Sequence, residues 1–113
     1  MAGITTHVLD TSRGRPAAGI HVLLEQQVSG TWREIGRGAT DADGRCRTLM
    51  PADAPLAAGT YRLAFDTGRY FRELDIAAFH PAVVITFTAE AGEPNYPVPL
   101  LLSPFGYTTY RGS

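Results

Sequence analysis

Apolar and polar residues alternate along most of this chain with a period of two. In "ITTHVLD", Ile4, Thr6 and Val8 share one parity, and Thr5, His7 and Leu9 share the other. A period of two rich in β-branched residues predicts a strand. "SRGRPAAG" follows, a loop by its Gly and Pro content. "IHVLLEQQV" and "TWREIGRGAT" read as strands joined in a hairpin at Ser29-Gly30. "DADG" is a turn that leads into a short strand, "RCRTLM". "PADAPLAAG" is a connection, after which "TYRLAFDT" alternates again. "GRYFRELDIAAF" breaks the period: Tyr70, Phe71 and Leu74 fall at i, i+1 and i+4, which predicts about two turns of helix. "AVVITFTAE" and "YPVPLLLS" are the most strand-like runs, and "GYTTYRGS" closes the chain as a last strand. Short strands with turn signals every ~8–12 residues make this an all-β sandwich. No internal repeat interrupts it, so residues 1–113 are expected to form one domain.

Composition narrows the function classes. Hydrophobic residues make up 44% of the 113 positions and charged residues 19%, an ordinary globular balance. A formal net charge of -1 leaves no electrostatic footprint for nucleic acid or an anionic membrane. One cysteine excludes an internal disulfide. No apolar run approaches the ~20 residues of a membrane span. "MAGITTHVLD" has neither a basic n-region nor an apolar h-region, so a cytoplasmic location is expected.

Few motifs carry chemistry alone. "DADG" fails as a calcium loop, because counting from Asp41 puts Gly44 too early and Ala52 where a bidentate Glu belongs; a tight turn fits better. His7, His21, His80 and Cys46 are scattered, so no metal site is expected. Cys46 between Arg45 and Arg47 reads as a small, half-buried strand residue rather than a reactive thiol. If Ile4 and Val8 point into the sandwich, His7 points out of it, where a lone imidazole is most often a plain surface residue. Arg45 after its turn reads as a solvated charge, and the Arg111 end as frayed.

Three stretches together change this picture. "THVLDTSRGRPAAGI", "TDADGR" and "VPLLLSPFGYTTYRGS" resemble the transthyretin-like family, and more narrowly its 5-hydroxyisourate hydrolase branch. The terminal Tyr-Arg-Gly-Ser is the most specific element, since it separates the enzymes from the hormone carrier. The resemblance implies a two-sheet, eight-strand sandwich with one short helix, assembled as a homotetramer, a dimer of dimers. The outward faces of one sheet would line a central channel holding the sites. The implied reaction opens the ring of 5-hydroxyisourate to 2-oxo-4-hydroxy-4-carboxy-5-ureidoimidazoline in urate (purine) degradation. No cofactor or metal is implied. By motif, the catalytic residues would be His7, Arg45 and Ser113, and His7, Arg45, Tyr110, Arg111 and Asn95 would bind substrate. Hydrolysis of a cyclic amide needs a base for water and a donor for the oxyanion, which an imidazole and a guanidinium can supply.

One departure stands out. The branch carries His-Tyr-His-Val-Pro ahead of Leu-Leu-Leu-Ser-Pro, whereas this chain reads Asn95-Tyr96-Pro97-Val98-Pro99. The second channel imidazole would fall at Pro97, whose side chain neither donates nor accepts. His7 would then be the sole imidazole of the site. The alternative reading is a small-anion binding protein of the same fold with hydrolase activity impaired or lost. Pro97 and Pro99 also remove two backbone donors from one side of a strand, which predicts a poorly paired end at an edge or rim.

Overall fold

The computed structural model describes residues 3–51 and 54–112. The strands are β1 (Gly3–Asp10), β2 (Arg15–Pro16), β3 (His21–Val28), β4 (Thr31–Ala39), β5 (Arg45–Cys46), β6 (Gly59–Phe65), β7 (Val83–Ala89), β8 (Asn95–Leu102) and β9 (Tyr107–Thr109), with one helix, α1 (Thr67–Glu73), between β6 and β7. One sheet has the order β2-β1-β8-β9, with β5 also paired to β1, and the other has the order β4-β3-β6-β7.

The expected all-β sandwich and its single helix are present. The ninth strand is the two-residue β2, inside the segment read as loop. Two expected strands are shorter than their sequence suggested. "RCRTLM" pairs only at Arg45–Cys46, and "GYTTYRGS" only at Tyr107–Thr109. A β-branched run forms ladder only where a neighbour offers a free edge. β1 offers β5 just the stretch at Thr6 and His7, because β2 occupies the same edge at Leu9 and Asp10.

Alternation sets the core. Ile4 and Val8 from β1, Val22 and Leu24 from β3, and Leu63 and Phe65 from β6 meet Val98, Leu100 and Leu102 from β8, all buried. Cys46 is buried as well, rather than half-buried, because β5 turns it toward this core. In α1 the predicted stripe buries Tyr70 and Phe71. Asp66 caps the helix, its carboxylate accepting from the Arg69 N–H at 3.4 Å.

Two inward polar residues are satisfied locally. The Thr6 hydroxyl donates to the Val98 carbonyl at 2.7 Å, tying β1 to β8. The buried Asp10 carboxylate accepts from the Ser12 N–H at 3.1 Å, the Ser12 hydroxyl at 2.6 Å and the Arg13 N–H at 3.2 Å. Its other oxygen accepts from the Tyr70 hydroxyl at 2.8 Å, which fastens α1 to the end of β1. Burial, then this bond to Asp10, push the Tyr70 phenol above its ordinary value.

β8 lies between β1 and β9, but its Pro97–Pro99 end has a ladder partner on one side only, as the two prolines predicted. It pairs in parallel with β1 along all of Gly3–Asp10. The donors missing at Pro97 and Pro99 concern only its other side, where β9 pairs at Leu100–Leu102.

Candidate active site

Three strands bring the predicted residues to one face. With Ile4, Thr6 and Val8 buried, β1 turns His7 outward, half-buried between Thr5 and Leu9. The parallel ladder sets Pro99 beside His7 and Pro97 beside Thr5. On the other edge of β1, the antiparallel pairing sets Arg45 directly opposite His7. Arg45, His7 and Pro99 thus form one cross-strand row. Directly opposed residues have Cβ atoms about 4.5–5.5 Å apart, so the imidazole and the guanidinium rise from adjacent roots. Asn95 is exposed and pairs with Gly3, at the end of the same face.

The turn before β5 fixes Arg45. Asp41 accepts at its carboxylate from the Asp43 N–H at 2.9 Å and the Arg45 N–H at 3.0 Å. Those bonds, the Arg45 N–H first, hold the Asp41 carboxyl below its ordinary value, with the Arg47 and Arg45 charges adding to the effect. Gly44 has φ +76, and its carbonyl accepts from the buried Val8 N–H at 2.7 Å. An added Cβ there would lie 2.3 Å from the Val8 carbonyl oxygen. Only glycine meets both conditions, and its position next to β1 is what sets Arg45 against His7. "DADG" is the turn it was read to be.

The chain end supplies the far side. The Thr109 hydroxyl donates to the Pro99 carbonyl at 2.7 Å. Continuing the β8–β9 register puts Tyr110 opposite Pro99, at the end of the Arg45–His7–Pro99 row, and Tyr110 is exposed. Arg111 goes elsewhere. Its guanidinium lies 5.0 Å over the ring of the buried Tyr96 and 3.4 Å from the Glu93 carboxylate. It borders a cavity of about 270 Å³ between the sheet edges, lined also by Ile85, Phe87 and Val98. Gly112 is not frayed: its N–H donates to the Pro97 carbonyl at 2.9 Å. Ser113 lies outside the described residues.

His7 and Arg45 are therefore together, with Tyr110 adjoining by register, Asn95 on the same face but four residues along the ladder, and Arg111 turned to the sandwich seam. Sequence reasoning missed Gly44, Asp41 and Thr109 as the residues that hold the site. The Asp-x-Asp-Gly spacing signalled a turn but not which strand it would meet. Among the described residues no group of three or more His, Cys, Asp or Glu could hold a metal ion. The row offers an imidazole, an exposed guanidinium on a backbone held by its turn, and a phenol donor.

The model of the HIUase/Transthyretin family matches residues 4–112.

The chain belongs to the HIUase/Transthyretin family.

Within this family it is 43% identical over 110 residues to the 5-hydroxyisourate hydrolase of Salmonella dublin, covering 97% of this chain and 80% of that one. The structure of Klebsiella pneumoniae 5-hydroxyisourate hydrolase superposes with a TM-score of 0.86 at 35% identity, covering 100% of both chains. Sea bream transthyretin in complex with thyroxine gives a TM-score of 0.88 at 35% identity, covering 96% of this chain and 93% of that one. The transthyretin-like sandwich expected from the three sequence stretches is the fold of this chain.

Proposed function

We propose that this protein is a 5-hydroxyisourate hydrolase. The observation that carries this reading is the His7–Arg45 pair, held in register on one sheet face of a chain whose relatives include 5-hydroxyisourate hydrolases at this level of identity. In the proposed reaction the His7 imidazole takes a proton from water as the water oxygen bonds to the ring carbonyl carbon. Arg45 donates to the oxyanion that forms. The oxyanion then collapses, the ring C–N bond breaks, and the imidazolium returns its proton to the leaving nitrogen. The product carries a new carboxylate and a freed ureido nitrogen, and it remains beside the same guanidinium. Tyr110 and Asn95 orient the carbonyl-rich ring.

The reading extends to residues 1–113 acting as one domain in a cytoplasmic homotetramer. Large hydrophobic residues on the surface support assembly. Phe79 and Phe105 are each 72% exposed. The Phe79 N–H donates to the Pro104 carbonyl at 2.8 Å, so the loops bearing the two rings adjoin. Exposed clusters of this kind mark interaction surfaces. Light scattering at micromolar concentration should give a tetramer, and a stable monomer with full activity would sink the shared-channel arrangement.

A specific observation also favours the binding-protein reading: Pro97 stands on the His7 face, at the position where the family resemblance implies a second imidazole. The decay of fresh 5-hydroxyisourate, generated by urate oxidase, separates the two readings. Acceleration over the spontaneous background supports the enzyme, and an unchanged decay supports the binder. Removal of Tyr110 to Ser113 should abolish acceleration while the sandwich still folds.

A further inference from the structure

Beyond Thr109 the chain leaves the β8–β9 ladder but not the edge of β8. Carried three residues past the Leu100–Thr109 pair, the same register sets Gly112 opposite Pro97. The Gly112 N–H does donate to the Pro97 carbonyl, at 2.9 Å. Within a strand, the N–H and C=O of one residue point to the same side. The donors that Pro97 and Pro99 lack are therefore those that would face the tail. That edge offers carbonyls alone, and the tail answers with donors: the Thr109 hydroxyl to Pro99 and the Gly112 N–H to Pro97.

The contact is steric as well. A Cβ added at Gly112 would lie 3.1 Å from the Pro97 carbonyl oxygen and 3.2 and 3.3 Å from the Pro97 Cβ and Cγ. Contacts this close require one partner to give way, and a proline ring in an interior strand has little freedom to do so. One residue back, Arg111 is held by Glu93 and Tyr96. The tail is thus fixed on both sides of the sheet edge. Its seat against Pro97 lies one row along from His7, because Thr5 is the β1 partner of Pro97.

We infer that Pro97 is a positioning residue: its carbonyl and ring seat Gly112, and so hold the chain end at the His7 face. The consequence for turnover rests on the hydrolase reading; the seat itself does not.

The test combines amide hydrogen exchange at residue 112 with steady-state kinetics on 5-hydroxyisourate, in wild type, Gly112→Ala, Pro97→Gly and the double variant. The wild-type amide should exchange at least roughly fivefold slower than in an unstructured peptide. Gly112→Ala should lose that protection and raise KM about tenfold, with kcat changed less than about twofold. Pro97→Gly keeps the carbonyl, the nearest contact, but removes the Cβ and Cγ that the added methyl group would also strike, so the double variant should recover part of both. Free-peptide exchange in wild type would overturn the inference. So would an equal KM cost of Gly112→Ala in both backgrounds. If wild type fails to accelerate 5-hydroxyisourate decay, the hydrolase reading falls, and the exchange pattern across the four proteins still decides the seat.

Discussion

Replacing Gly44 by Ala should unseat Arg45 from β1, and its cost follows from the local geometry. A left-handed backbone at φ +76 costs a side-chain-bearing residue roughly 1–2 kcal/mol. The new Cβ would meet the Val8 carbonyl oxygen at 2.3 Å, so the turn must move away from β1. That breaks the 2.7 Å bond from the Val8 N–H to the Gly44 carbonyl. Val8 is fully buried, and an orphaned buried donor costs roughly a further 1–3 kcal/mol. The sum is about 2–5 kcal/mol, a fall in the urea midpoint on the order of 1–3 M for a domain of this size. Urea melts followed by circular dichroism read the stability, and kinetics read the site. KM should rise with the loss of stability, since the turn that carries Arg45 has shifted. A destabilisation under about 0.5 kcal/mol, with KM unchanged, would refute the claim that this glycine locks Arg45 beside His7.

Three further outcomes are expected. Tyr70→Phe removes one of the donors to the buried Asp10 carboxylate and should cost roughly 1–2 kcal/mol in a urea melt, with little change in kcat. Asp41 has a lowered pKa, so its contribution is fully present above the ordinary aspartate value and is lost as pH falls through the lowered one; the stability gap between wild type and Asp41→Ala should be open at neutral pH and shrink as the pH is taken below the ordinary aspartate value. Pro97→His, which keeps the carbonyl that receives Gly112 but not the ring packed on it, should raise kcat at saturating substrate; a kcat equal to wild type would mean that one imidazole is enough.

Alternation alone put His7 on the outer face, since the side-chain period of a strand is strict once one parity is apolar. The helix was legible from Tyr70, Phe71 and Leu74, and the turn from Asp41 to Gly44, because each is a local pattern. What was not legible is pairing between distant segments. Nothing near His7 says that Arg45 will stand opposite it, or that β1 will run parallel to β8, more than ninety residues away. Pro97 and Pro99 were legible as a thinly paired strand end, and β9 does stop at Leu100; what was not legible is that the tail would return a single bond to Pro97 there. Arg111 was grouped with Tyr110 by motif, but residues adjacent in a strand point to opposite faces, and Arg111 faces Tyr96.

The most direct test of the central claim is the rate of 5-hydroxyisourate decay with wild type and with His7→Asn, each corrected for the spontaneous reaction. If His7 is the base that activates water, wild type accelerates decay and His7→Asn falls roughly 10²–10⁴-fold, to near background, while remaining folded. A wild-type rate that survives His7→Asn untouched would contradict the assignment.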